Sequence, residues 1–322
     1  MKGNIMVVGE AGVDFLPDEA GPTKHVENFA RRAGGSAVNS VIGLHHLGET
    51  PFLRTRIGTD PFGAFLRETL DEHGIPTDFV EADAEAMTSL AFVERQKSDA
   101  LDFTFYRHET ADTRLEPDLV PVDVLESLQW LHVTGVLLAT EPSRTAILSL
   151  MDRAQQAGCQ VSFNPNTRPQ LWNRTEELAQ DIGDALKLTD VVIATPADFE
   201  PIGFETSTPE TLADELVQYG PDSVFLSLDS ISAYGTIIDG PLTGDAHHDG
   251  YDVDPVYPIG AVDAFTAGVI ASLLHDAKSV RDILAAANAV ATISTMSPGA
   301  ITAFSLRRSA ESLYSNPPWE SE

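Results

Sequence analysis

The stretch 161–193, VSFNPNTRPQLWNRTEELAQDIGDALKLTDVVI, decides the fold class. It opens on an apolar run, Val161-Ser162-Phe163, and breaks at Pro165 and Pro169. An amphipathic segment over 175–188 follows, and a second apolar run, Val191-Val192-Ile193, closes it. Short apolar runs bounded by breakers read as buried strands, and the longer segment between them as a helix. Strand, helix and strand in series imply parallel pairing in a sheet covered on both faces.

The same rhythm runs along most of the chain. Ile5-Met6-Val7-Val8, Trp130-Leu131-His132-Val133 and Val224-Phe225-Leu226-Ser227-Leu228 read as further buried strands, and 143–158, 209–219, 262–275 and 279–294 as helices. Thr208-Pro209-Glu210 opens one of these with a cap residue and a proline at the first helical position. Two regions depart from the rhythm. Residues 10–33 and 87–107 alternate with period two, as in Leu101-Asp102-Phe103-Thr104-Phe105-Tyr106. They predict antiparallel strands with one wet face, forming either a small β flap that closes over a ligand or an edge of the main sheet. No repeat or linker divides the chain, which leaves one large α/β domain or two smaller ones.

Composition narrows the function. The 322 residues are 43% hydrophobic and can bury a large core. There is no apolar run of about 18 residues and no basic-then-apolar opening, which predicts a soluble, cytoplasmic protein. The lone cysteine, Cys159, precludes an internal disulfide and reads as an inert hydrophobe entering a buried strand. A net charge of −29 repels nucleic acid and anionic membranes, which excludes both as expected partners. The acidic residues are spread along the chain and lysines number only five, a pattern similar to that of proteins adapted to high salt. His45-His46 and His247-His248 are adjacent pairs that share no helix face, so they are expected to face solvent and not to chelate.

Several polar residues stand where structure alone does not require them. Tyr257-Pro258-Ile259-Gly260 is a turn into the apolar helix that starts near Ala261. The backbone amides of Gly260, Ala261, Val262 and Asp263 would then point from a helix N-terminus without intrahelical partners, an anion site in principle. Asp263 either takes a proton from a substrate hydroxyl or only balances the helix dipole, worth about 0.3–1 kcal/mol. The residues alone favour the second. Gly34-Gly35-Ser36-Ala37-Val38-Asn39 allows close backbone approach by a ligand and offers Asn39 as donor and acceptor, while Ser36 alone reads as a helix cap. Asn164, Asn166 and Arg168 follow a strand directly, where parallel sheets bind ligands, and Asp14 lies just past the first strand. Ile57-Gly58-Thr59-Asp60-Pro61-Phe62-Gly63 reads as a structural turn into a helix.

In order, GEAGVDF, NFARRAGGSAVN, IGTDPFG, FTFYRHETAD, EPSRTAIL, SFNPNTRPQLW and GAVDAFTAG resemble the ribokinase-like (PfkB) carbohydrate kinases over essentially the whole chain, and within them the fructokinases. The resemblance implies that 1–322 forms a single three-layer α/β domain with a mostly parallel central sheet and a β lid from about 10–33 and 87–107, and phosphoryl transfer from ATP to a sugar hydroxyl with Mg2+. It implies Asp263 as base and the amides of Gly260, Ala261 and Val262 as holders of the transferring phosphate. Asp14, Gly35, Asn39 and Arg168 would contact the sugar, with Arg107 helping from the lid. Ser227 and Asp229 would lie by the nucleotide, Glu200 would arrange water around Mg2+, and the lid strands would pair two subunits into a homodimer.

The nucleotide half departs from the family's pattern. Where relatives read DTTGAGD, this chain has Tyr257-Pro258-Ile259-Gly260-Ala261-Val262-Asp263. A β-branched residue at 262 is strongly disfavoured if φ there is positive; with negative φ its N–H survives and only space is lost. The replaced Asp and Thr leave the K+ of many relatives open. The family's Asn-x-x-Glu reads Ala197-Asp198-Phe199-Glu200, and Asp229 brings charge where polyphosphate would sit. Two other readings therefore accompany the kinase: a sugar-binding homologue that has lost catalysis, and a kinase for a keto-deoxy sugar acid or nucleoside. If the acidic surface depends on screening, the melting temperature falls as salt is removed; a melting temperature independent of salt rejects the high-salt reading.

Overall fold

The computed structural model describes residues 4–95, 101–117, 120–228, 232–253, 257–275, 277–296, 310 and 312–314. Nine strands form the main sheet: β1 (Ile5–Val8), β4 (Pro51–Gly58), β5 (Val80–Asp83), β8 (Trp130–Thr134), β9 (Gln160–Asn164), β10 (Val191–Ala194), β11 (Ser223–Ser227), β12 (Ala233–Ile237) and β13 (Gly244–His248). Their order is β13-β12-β11-β10-β9-β8-β1-β4-β5. Pairing is parallel from β5 through β11, and only β12 and β13 run antiparallel, as an edge hairpin. The expected mostly parallel sheet is present.

Alternation along β1 shows why both faces are covered. Ile5 and Val7 point into one core, with α1 (Ser36–His46), α2 (Pro61–Glu72), α7 (Ala261–Leu274) and α8 (Val280–Ser294). Met6 and Val8 point into the other, with α3 (Val122–Ser127), α4 (Ser143–Gln156), α5 (Thr175–Leu186) and α6 (Pro209–Val217). Successive residues of a strand face opposite sides, so four consecutive apolar residues need a core on each. Asp60 caps α2, accepting from the amides of Phe62 at 2.8 Å and Gly63 at 3.1 Å, the structural role expected for that turn.

A second sheet stands apart, with β2 (Gly12–Pro17), β3 (Phe29–Gly34), β6 (Ser89–Arg95) and β7 (Leu101–Tyr106) in the order β3-β2-β6-β7. It grows from the two segments that alternate with period two. β2–β3 and β6–β7 are antiparallel, whereas β2 and β6 pair in parallel. Its outer face is not simply wet. Phe15 stacks on Phe92 at 4.7 Å between ring centroids, and Phe29 and Tyr106 meet Phe92 edge-on.

The first histidine pair differs from expectation, whereas in the second His247 is exposed as expected and His248 is half-buried. His45 and His46 are half-buried, and the ring of His46 lies 5.5 Å from that of His73. Burial, then the neighbouring imidazoles, pushes His46 down to about 4. The sequence did not show that the ends of α1 and α2 meet. Cys159 is buried, with its thiol pushed up to about 12 by burial, as an inert residue should be.

Two close approaches set the site. α1 and α7 run side by side in parallel, and a Cβ on Gly43 would lie 3.0 Å from the Ala267 Cβ. On the far side of α7, a Cβ on Gly268 would lie 2.6 Å from the Ala287 Cα of α8. Gly268→Val must push α8 away and should cost about 2–3 kcal/mol of unfolding free energy in a urea melt; an unchanged midpoint would refute this packing.

Candidate active site

The parallel α1–α7 pair brings both helix N-termini to one cavity of about 470 Å³ beside the carboxyl ends of β1, β9 and β10. That is the end of a parallel sheet where ligands bind, next to the strand at which chain order reverses. Gly260 caps α7 with φ 82°, a left-handed conformation that favours glycine. Val262 lies within α7 and is not among the residues with positive φ, so the second of the two alternatives holds: its N–H survives. Its side chain lines the cavity and takes up room there.

Asp263 is 8% exposed and lines the cavity from the first turn of α7. The Ser36 hydroxyl donates to its Oδ1, and the Asn39 side-chain amide donates to Oδ2 at 2.7 Å. Burial pushes the carboxyl up to about 6; the Ser36 and Asn39 hydrogen bonds oppose that, Glu10 adds to it, and Arg168 opposes it. Ser36 does not cap α1. The cap position is Gly35, at φ 98°, and the Ser36 hydroxyl is spent on Asp263.

Glu10, at the end of β1, has the place that the sequence reading gave to Asp14. Its Oε1 accepts from the Ser36 amide at 2.8 Å and from Asn166 Nδ2 at 3.3 Å, and its Oε2 accepts from Thr134 Oγ1 at 2.6 Å. One carboxylate thus ties the ends of β1 and β8, the start of α1 and the loop after β9. Glu10 was missed, although an acidic residue two positions past the run Ile5–Val8 was the available signal. Asp14 reaches the cavity from β2 of the small sheet. The double glycine serves the protein's own packing: a Cβ on Gly34 would lie 2.3 Å from the Asp14 carboxylate, and one on Gly35 would lie 2.4 Å from the Glu10 carbonyl.

Asn39, Asn164, Asn166, Arg107 and Arg168 complete the polar lining. Arg107 follows β7, and its side chain is 5% exposed. Its Nε pairs with Asp112 at 2.7 Å, while its Nη2 is buried without a hydrogen-bond partner. The Arg168 guanidinium lies 5.9 Å from the Phe103 ring centroid. Leu101, Phe103 and Phe105 of β7 give this wall its apolar part. Burial, then Glu10 and Asp263, pushes Asp14 up to about 7, and Arg168 opposes them.

The remaining sequence candidates sit elsewhere. Ala261 opens α7 but is not part of the cavity lining. Ser227 ends β11 and Glu200 is exposed after β10; neither lines this cavity. Asp198 does line it, held by the amides of Thr167 and Thr195, each at 2.8 Å. Asp229 lies outside the described residues. Tyr257 and Ile259, both departures from the family string, pack with Leu16, Val93, Leu101 and Phe103 in an apolar cluster beneath the small sheet. The altered turn therefore rests on that sheet.

Asp14 and Asp263 have folded-state pKa values above the ordinary carboxyl range. Between about pH 4 and 7 the native state keeps protons that the unfolded chain has released, so stability from these groups is lost as pH rises through that window. Asp14→Asn should raise the melting temperature at pH 8, by the equivalent of about 1–2 kcal/mol given partial solvent screening. At pH 5 it should change little. A lower melting temperature at pH 8 would show that the ionised Asp14 is paired, not strained.

A model of the pfkB family carbohydrate kinases matches residues 2–306. A fructokinase from Escherichia coli is 30% identical over 318 residues, 97% of this chain and 99% of its own. The crystal structure of a PfkB protein from Polaromonas sp. JS666 superposes with TM-score 0.80 at 30% identity, covering 92% of this chain and 97% of that one. A double-mutant fructokinase from Vibrio cholerae O395, solved with fructose, ADP and potassium ion, superposes with TM-score 0.80 at 25% identity over 94% of this chain and 95% of its own. The fold is ribokinase-like, and the family match spans the main sheet, the small sheet and α7, which carries Asp263. The chain belongs to the pfkB family of carbohydrate kinases.

Proposed function

We propose that the protein transfers the γ-phosphoryl group of ATP to a hydroxyl of a neutral sugar of the fructose type. The observation that carries this reading is the Asp263 carboxylate, at the mouth of an amide-lined helix N-terminus and in the wall of a cavity rich in hydroxyl-pairing groups. The relative solved with fructose and ADP supports the substrate pair. In this reading Asp14, Asn39, Arg168 and the backbone at Gly35 orient the sugar, with Arg107 Nη2 as a further donor. Asp263 takes the proton of the acceptor hydroxyl as that oxygen bonds to phosphorus and the bond to the departing ADP breaks. The amides of Gly260, Ala261 and Val262 stabilise charge on the transferring group with donors that need no reorganisation.

Magnesium, when bound, neutralises the phosphates. Among the described residues no three or more His, Cys, Asp or Glu side chains are grouped to hold a metal. That suits an ion carried mainly by phosphate and water. Glu200 is the carboxylate this reading gives to its water shell, and Ser227, at the end of β11, is given to the nucleotide. Potassium is left out of the reading, because Tyr257 and Ile259 turn the segment before Gly260 toward an apolar cluster. The small sheet acts as the lid of a single domain. Its outer aromatic face, where Tyr106 is 61% exposed, supports pairing with a second copy. Among the described residues no helix is long and apolar enough to cross a membrane, and the reading places the enzyme in the cytoplasm.

The two cations in the cavity wall, Arg107 and Arg168, favour one competing acceptor, a keto-deoxy sugar acid, against the acidic Glu10, Asp14 and Asp263. A coupled ADP-release assay with Mg2+ at molar salt decides among them, using neutral sugars, a sugar acid and nucleosides. Turnover should be fastest with a neutral ketose, and Asp263→Asn should lower kcat at least about 100-fold. Activity surviving in Asp263→Asn removes the base assignment. No turnover across the panel, alongside sugar-induced thermal stabilisation, would make the protein a sugar-binding relative without catalysis.

A further inference from the structure

We propose that Ser36 is a positioning residue for the reaction: its hydroxyl fixes Oδ1 of Asp263, so that Oδ2 is the oxygen that receives the acceptor proton when Asn39 turns to the sugar. The inference rests on the reading of Asp263 as base.

The two donors to Asp263 are not equivalent. Ser36 is 5% exposed, and its backbone amide is bound to Glu10 Oε1 at 2.8 Å. Glu10 is itself held by Thr134 Oγ1 at 2.6 Å. Ser36 sits at the first position of α1, the helix seated on α7 through Gly43 and Ala267. The Ser36 backbone is thus held at the start of a seated helix. Asn39 is more open: it is part-buried at the cavity wall, and its own Oδ1 is buried without a partner. Because that Oδ1 is buried, it can reach a sugar hydroxyl only if the amide turns, which satisfies a costly unpaired acceptor and takes Nδ2 off Asp263. Ser36 has no such gain. Sugar entry therefore exchanges the Asn39 contact and keeps the Ser36 contact.

The kept hydrogen bond has two consequences. It stops the carboxylate from rotating away, and it favours the ionised form that a base requires. The charged groups facing Asp263 are Glu10 from the end of β1, Asp14 from β2 and Arg168 from the loop after β9. The two acids oppose ionisation and the arginine favours it. Between them, the Ser36 donor helps to keep Asp263 ionised at neutral pH.

The test is the pH profile of kcat/KM for Ser36→Ala beside the wild type, with KM for the sugar measured separately. Activity of a general base falls on the acid side as its carboxylate is protonated. Loss of the donor should move that limb upward by about half to one pH unit and lower kcat roughly tenfold, with KM little changed. Ser36→Cys, which keeps the size but donates weakly, should show the same direction and serves if Ser36→Ala does not fold. A fall in rate with an unmoved acid limb would make Ser36 merely structural, and so would a change confined to KM; either overturns the proposal. Asp263→Asn separates the two levels of the argument. If it stays active, the base reading fails; if it is inactive while Ser36→Ala keeps the wild-type profile, only this inference fails.

Discussion

The carboxylate of Asp263, clamped by Ser36 and Asn39, is the joint on which the rest of the site depends. The clamp requires the first turns of α1 and α7 to start at the same place and run in the same direction. Only small residues allow that: Gly43 against Ala267 on one side of α7, and Gly268 against Ala287 on the other. The helix is apolar nearly all round because it is buried on all sides, and Asp263 is the charge in its otherwise apolar first turn. Two helix N-termini facing one pair of acids, Glu10 and Asp263, partly offset the cost of burying them. The same fields would act on a phosphate placed between them.

The cavity combines strain and support. Glu10, Asp14 and Asp263 crowd three acids together, and Asp14 and Asp263 are held up toward neutral pH by burial first and then by neighbouring acids, Glu10 foremost. Arg168 relieves the crowding, and Arg107 is neutralised mainly by Asp112. A sugar, which carries donors at many hydroxyls, would complete such acceptors better than water held in a narrow cleft. Its entry is expected to relieve the native state as well as to place the acceptor.

Much of this was readable from the chain. The parallel sheet followed from unbroken apolar runs such as Ile5–Val8, which only a sheet buried on both faces tolerates, and the helix bounds fell within a few residues. The edge hairpin of β12 and β13 was not seen, because Gly244–His248 is polar and largely exposed, with Ala246 its one apolar side chain. The site residues were found as members of strings and not as partners. Ser36 looked like a cap because Ser before an apolar helix commonly is one, and nothing local says that its hydroxyl meets a residue 227 positions away. Glu10 was passed over for Asp14 although the first strand ends at Val8 as read; Glu10 follows that strand, and Asp14 belongs to the second sheet. The phosphate-side departures were visible, but their meaning was not. Val262 stays helical and keeps its N–H, while Tyr257 and Ile259 exchange a polar turn for an apolar footing under the small sheet.

The central claim is that this remodelled turn still presents a working phosphate cradle. Calorimetric titration of a non-hydrolysable ATP analogue with Mg2+ into protein saturated with fructose tests it most directly. The account predicts saturable binding at the amides of Gly260–Asp263, weakened when Gly260 is replaced by a residue that cannot hold its left-handed conformation. Sugar that binds while the nucleotide gives no saturable heat or thermal shift would contradict the account. The protein would then be a sugar-binding member of the family with its base in place and no phosphate to transfer.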